Sequence, residues 1–294
     1  MKRCLLALAV TTAAAAGTAR GQDRTGIGPG ESEQAVALPR ASLELFTYRP
    51  ADCSPRLLLL VFHGVKRDAG PYRDRARPLA DRLCAVVLAP LFDKERFPRD
   101  LYQYGGVVRK EVMAAAGSRT VDLVAPLVAW ARAAVGSPRM PYVLLGHSAG
   151  AQFVDRVAAF TATDAARIVV ANPSTWVMPS LTAAAPFGFL NVEPLSAAEE
   201  ELRAYLARPL VVLLGGADIG THNLARSPEA MAQGPYRLAR GRNAFQMARQ
   251  VAKQRGWPIH WTLVEVPGVG HDAAAMFSAP QTMAALGDPG SGRP

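Results

Sequence analysis

At 294 residues, half of them hydrophobic and with a formal net charge of +9, the chain is long enough to bury a sizeable core and too apolar for a disordered polymer. Its arginines are scattered through the chain rather than clustered with aromatics, so no nucleic-acid interface is indicated; a solvated basic surface accounts for the charge.

The first predicted element is a targeting segment. Lys2 and Arg3 precede an apolar stretch from Cys4 to Ala16, and Ala19-Arg20-Gly21 offers small residues where a signal peptidase reads. Residues 1–21 are therefore expected to be a signal peptide, which implies a secreted or periplasmic protein with no integral membrane span. Residues 22–41 are polar and glycine-rich and read as a flexible leader, 42–287 as one folded domain, and 288–294 as a disordered tail. Loss of residues 1–21 removes Cys4 and leaves Cys53 and Cys84, each just before a strand-like run. If those strands are parallel neighbours, both sulfurs lie at one end of a sheet. A disulfide is then expected in an oxidising compartment, two buried free thiols being the alternative.

The domain opens with a half-exposed strand around Leu43–Tyr48. Short apolar runs follow at Leu57–Phe62, Ala85–Ala89, Tyr142–Gly146, Ile168–Ala171, Leu210–Leu214 and Ile259–Val266, as strands buried on both faces require. Between them, Tyr72–Leu83, Thr120–Val135, Ser196–Ala207 and Asn243–Arg255 read as helices, the third opening like a capping box. Strands alternating with helices predict an α/β fold, a mostly parallel, doubly wound sheet flanked by helices, with little or no cap domain.

One stretch organises the chemistry. Gly146-His147-Ser148-Ala149-Gly150 lies between a predicted strand and a predicted helix, the pattern of a nucleophile elbow in which a serine stands at the tip of a sharp turn. A serine hydroxyl needs a base, and the base needs an acid to hold its tautomer; both belong at strand carboxyl ends. Of five histidines, His271 follows the last strand in a glycine-rich loop and suits the base. His63 and His147 read as structural, His260 as packed within the last strand, and His222 as a loop residue that either lines the pocket or lies on the surface. Asp218, just after the penultimate strand, suits the acid, with the adjacent Asp272 as its rival. Oxyanion donors are expected from the backbone N–H groups of Ala149 and of Val65, in the His63-Gly64-Val65 turn. Tyr102, Tyr104 and Trp176, with neighbouring apolar and aromatic residues, are candidates for an apolar or aromatic acyl pocket, the alternative for any one of them being that it simply covers the sheet.

His63-Gly64, the Ser148 elbow, Gly215-Gly216-Ala217-Asp218 and Gly270-His271-Asp272, in this order, resemble the α/β-hydrolase superfamily over about residues 42–280. The nearest group is that of secreted esterases similar to polyhydroxybutyrate depolymerases and feruloyl esterases. The resemblance implies an exported serine hydrolase cleaving carboxylic esters through an acyl-enzyme, with no metal or organic cofactor, acting as a monomer on a small or polymeric ester. A secreted serine peptidase or amidase is the near alternative, and a noncatalytic binding module the more distant one.

Overall fold

The structure, a computed structural model, describes residues 26–287. The expected signal peptide, the first residues of the expected leader and the expected tail lie outside the described residues.

The chain begins with an antiparallel hairpin of Gly30–Leu38 (β1) and Ala41–Arg49 (β2), paired in register from Gly30 opposite Arg49 to Leu38 opposite Ala41. Gly30–Leu38 was expected within a flexible leader and is a strand instead. Its composition is polar because it is an edge: Glu31 and Glu33 face solvent, Val36 is buried, and β2 is its one neighbour.

The alternating part follows. Leu57–Phe62 (β3) leads to Ala69–Leu83 (α1), Ala85–Leu91 (β4) and the single turn Arg99–Tyr102 (α2). A short hairpin of Val108–Arg109 (β5) and Val112–Met113 (β6) precedes a 3-10 turn at Val121–Leu123, which continues into Val124–Ala134 (α3). Tyr142–His147 (β7), Ala149–Phe160 (α4), Arg167–Ala171 (β8) and Leu195–Leu206 (α5) come next. Leu210–Gly215 (β9), Pro228–Ala232 (α6), Arg237–Arg255 (α7), Thr262–Val266 (β10), Ala273–Ser278 (α8) and Pro280–Leu286 (α9) complete the fold.

Eight of these strands form one sheet in the order β1-β2-β4-β3-β7-β8-β9-β10, parallel from β4 onward. β3 shows why the runs are wholly apolar. Leu58, Leu60 and Phe62 pack on one face with α3, α4, α5 and α7, while Leu57, Leu59 and Val61 pack on the other with α1, α8 and α9. The sheet is thus doubly wound, as expected. Residues 172–194 after β8 contain neither helix nor strand, so among the described residues no cap domain is inserted there. Among the described residues no helix is long and apolar enough to cross a membrane.

Cys53 and Cys84 form a disulfide with Cα atoms 5.9 Å apart. Because β3 and β4 are parallel and start just after these residues, the bridge closes the amino-terminal edge of the sheet, opposite the strand ends where β7 turns into α4. Two local expectations differ from the structure. α5 starts at Leu195 behind Pro194, with no side-chain cap, so Ser196 lies inside the helix rather than capping it. His260 precedes β10 and is exposed, its Nδ1 2.9 Å from the Ala207 carbonyl, rather than packed within the strand.

Candidate active site

β3 lies between β4 and β7, so the chain leaves β3 toward one side of the sheet and later returns on the other. Such a switch point opens a crevice at the strand carboxyl ends, and the segments after β3 and β7 meet there.

After β7 the backbone reverses at Ser148, which has φ 59° and ψ −113° and begins α4. This left-handed, strained conformation is uncommon for a residue with a side chain. It is held from both sides: the Ser148 N–H donates to the Ala171 carbonyl at 3.0 Å and the Ser148 carbonyl accepts from Gln152 N–H at 3.1 Å. The turn also needs two glycines. A Cβ at Gly146 would collide with the Gly150 carbonyl, and one at Gly150 would collide with the Phe62 carbonyl of β3. The hydroxyl is thereby lifted out of the core to the floor of a cleft.

Three separated segments converge on that hydroxyl. His271, in the loop between β10 and α8, places Nε2 at 3.0 Å from Ser148 Oγ. Its Nδ1 lies 2.7 Å from Asp218 Oδ2. A carboxylate only accepts, so Nδ1 carries the proton and donates it, leaving the Nε2 lone pair for the serine hydroxyl. Asp218 is buried, whereas the His271 side chain is 28% exposed; the pair therefore spans from core to cleft. Asp272 faces elsewhere: its carboxylate accepts the N–H groups of Ala274 and Ala275 at 2.7 and 3.0 Å and caps α8.

The loops carrying Asp218 and His271 are fastened together. Gly216 N–H donates to Val266 and Ala217 N–H to Val269, both at 2.9 Å, and a Cβ at Gly215 would meet the Val269 carbonyl. Asn172, with φ 50° at the end of β8, accepts the Gly215 N–H at 2.8 Å and directs its amide toward the Gly270 carbonyl at 3.5 Å. An asparagine directly after a strand is the only sequence signal of this role.

The turn after β3 is braced as strongly. His63 Nδ1 donates to the Gly64 carbonyl at 3.1 Å while Nε2 accepts the Phe92 N–H at 3.1 Å. Burial pushes the imidazole down to about 4, so it is neutral and structural near pH 7. Arg67 donates to the carbonyls of Phe92 and Phe97 at 2.7 and 2.8 Å, with its guanidinium 4.3 Å above the Tyr102 ring. These braces fix Val65 beside Ser148 in the cleft. Among the described residues neither Val65 N–H nor Ala149 N–H has a hydrogen-bond acceptor within the protein.

His147 is buried, with its ring centroid 4.8 Å from that of His271 and its Nδ1 3.2 Å from the Tyr72 hydroxyl. Burial, reinforced by the neighbouring positive charges, holds it well below the ordinary histidine range. It therefore packs against His271 as a neutral ring.

The cleft has a volume of about 430 Å³, and its walls include Val65, Lys66, Arg75, His222 and Asn223. They mix charged and polar side chains with apolar surface, and none of Tyr102, Tyr104 and Trp176 is among them, which corrects the expected pocket. Tyr102 and Trp176 are fully buried. α2 turns Tyr102 inward beneath the β3 turn, where its hydroxyl donates to the His63 carbonyl at 2.8 Å and its ring stacks on Phe92 and Phe153. Trp176 is held inside by Gln233, which bonds both its N–H and its carbonyl, at 2.8 and 3.0 Å. Tyr104 is half-buried edge-on against Phe187 and is not among the cleft walls. Among the described residues no group of three or more His, Cys, Asp or Glu side chains could hold a metal ion.

This fold and this strand-end cleft define a member of the α/β-hydrolase superfamily, and the comparisons with known proteins show that the chain belongs to it. The poly(3-hydroxybutyrate) depolymerase LpqC of Bordetella parapertussis is 33% identical at a TM-score of 0.80, covering 87% of this chain and 90% of its own. The poly(aspartic acid) hydrolase-1 of Sphingomonas sp. KT-1 is 32% identical at a TM-score of 0.79, covering 85% of this chain and 96% of its own. The S-formylglutathione hydrolase FrmB of Staphylococcus aureus, 13% identical with a TM-score of 0.56 over 90% of this chain and 98% of its own, shares the fold. No family model and no curated protein matches the chain.

Proposed function

We propose that the protein is an exported serine hydrolase that cleaves carboxylic ester bonds through an acyl-enzyme. The observation that carries this reading is the continuous relay from Ser148 through His271 to Asp218, at 3.0 and 2.7 Å, on three loops at the carboxyl ends of parallel strands. Ser148 Oγ attacks the ester carbonyl carbon while His271 Nε2 takes its proton, and Asp218 stabilises the imidazolium that forms. The oxyanion is received by the free N–H groups of Val65 and Ala149, the second at the start of α4. Collapse of the intermediate expels the alkoxide, which takes the proton from Nε2. Water then attacks the acyl-enzyme by the same path and restores Ser148. The disulfide supports export, since such bonds persist in oxidising compartments.

The similarity to a poly(3-hydroxybutyrate) depolymerase supports esters of hydroxy acids as substrates. The similarity to a poly(aspartic acid) hydrolase favours amide cleavage as the second reading. A fluorophosphonate probe tests the shared chemistry. The purified protein should be labelled, and Ser148→Ala and His271→Ala should not; an unlabelled wild type overturns the proposal. Rates on hydroxybutyrate oligomers and on poly(aspartic acid) then separate ester from amide hydrolysis.

A further inference from the structure

The relay does not end at the aspartate. Asp218 Oδ1, the oxygen not used by His271, faces Arg237 Nη1 at 3.5 Å, and both side chains are almost completely enclosed. Arg237 is the first residue of α7, and its Nη2 donates to the His222 carbonyl at 2.8 Å. The next residue, Leu238, donates its N–H to the Asp218 carbonyl at 3.3 Å. One guanidinium thus touches the Asp218 carboxylate and the middle of the loop that carries it.

We propose that Arg237 is a positioning residue for the hydrolytic site, whose charged guanidinium holds the Asp218 carboxylate as the acceptor of His271 Nδ1 and so extends activity toward acidic pH. The inference rests on the proposed serine-hydrolase reading. A cation on one side of a carboxylate opposes formation of a second cation, the imidazolium, on the other. It also keeps Asp218 in the acceptor form that holds the His271 tautomer. An arginine suits this position because its guanidinium keeps its charge when enclosed. Burial pulls Arg237 down from its ordinary value and Asp218 pulls it back up.

The other groups around the pair carry less. His147, packed against His271, is neutral through burial, as is the Tyr72 phenol, which burial pushes up. Arg240, one turn along α7, spends its donors on the carbonyls of Ser174, Ala225 and Gly234. On the cleft side, Asp272 is engaged in capping α8, and Arg75 is paired with Asp68 at 3.3 Å. Lys66 and His222 are exposed, so solvent and salt screen them. Arg237 and Arg240 are both shielded from water, and of the two it is Arg237 that lies directly against the carboxylate.

The test is kcat/KM on an activated ester as a function of pH, for wild type, Arg237→Met and Arg237→Lys, after labelling of the wild type by fluorophosphonate. Failure of that labelling would remove the serine-hydrolase reading itself; with labelling established, the profiles judge Arg237 alone. Arg237→Met should move the acid limb upward by about one pH unit and lower kcat about tenfold, with KM little changed. Arg237→Lys keeps the charge and should keep the wild-type limb, even where loss of the bond to His222 lowers its melting temperature. An acid limb unmoved in Arg237→Met, or moved equally in Arg237→Lys, overturns the proposal and leaves a clamp on the loop. Arg237→Gln replaces the methionine variant if that protein does not fold. Should neither neutral variant fold, Arg237→Lys decides: a displaced limb overturns the proposal and an undisplaced one supports it.

Discussion

The imidazole Nε2 of His63 accepts the backbone N–H of Phe92 at 3.1 Å, tying the turn after β3 to the end of β4. The bond requires the neutral ring, which burial enforces by pushing His63 from 6.5 to about 4. The unfolded chain binds a proton near the ordinary value and the folded chain only near pH 4. Stability is therefore fully present above pH 6.5 and declines as pH falls toward 4, by roughly 3 kcal/mol from this residue alone. Urea unfolding at pH 7.0, 5.5 and 4.5 should show this decline. His63→Gln, less stable at neutral pH, should show a shallower one, the remainder being the balance of His147, which burial shifts in the same direction, and Asp155, which burial raises to about 6 and which acts in the opposite direction.

Asp218 and Asp272 are both near His271 in the chain or in space, and they should respond oppositely to the same substitution. Asp218→Asn keeps the shape but can present an amide N–H to Nδ1, favouring the wrong tautomer; turnover should fall by on the order of 10⁴. Asp272→Asn weakens only the cap of α8, so the melting temperature should drop slightly with kcat within about twofold of wild type. Steady-state rates on a p-nitrophenyl ester decide, and the reverse outcome would exchange the two roles.

The strand–helix alternation and the strand-end positions of Ser148, Asp218 and His271 were legible because each rests on local signals: all-apolar runs, and glycines where backbones touch. The structure brings these three side chains into hydrogen-bond contact. Tyr102 and Trp176 were not legible, because position in a strand-end loop says nothing about which way a side chain turns. Nor was β1, since an edge strand with one neighbour has the composition of a loop. Arg237 left no signal, as one arginine in an arginine-rich helix is distinguished only by what it meets in space.

Tyr102 is expected to act as a brace for the β3 turn, because its hydroxyl donates to the His63 carbonyl at 2.8 Å deep in the core. Tyr102→Phe leaves that carbonyl without its donor and should destabilise the protein by about 1–3 kcal/mol. Displacement of the turn that carries Val65 should lower kcat, while relative rates across ester acyl chain lengths stay as in wild type. A change in chain-length preference would instead mean that Tyr102 touches substrate.

The Cys53–Cys84 bridge, 31 residues apart in sequence, should stabilise the fold without touching the chemistry. Closing a loop of that length restricts the unfolded chain by roughly 3–4 kcal/mol in the chain-entropy model. The bridge joins the amino-terminal ends of β3 and β4, whereas Ser148, His271 and Asp218 lie at the carboxyl ends of the parallel strands. The double variant Cys53→Ser/Cys84→Ser, or wild type held in reductant, should therefore unfold at markedly lower denaturant yet show wild-type kcat/KM at 25 °C, where the domain remains folded. Denaturant titration in parallel with initial rates separates the two effects. A proportional loss of activity in the folded, reduced protein would mean that strain at one edge of the sheet reaches the Ser148 turn at the other.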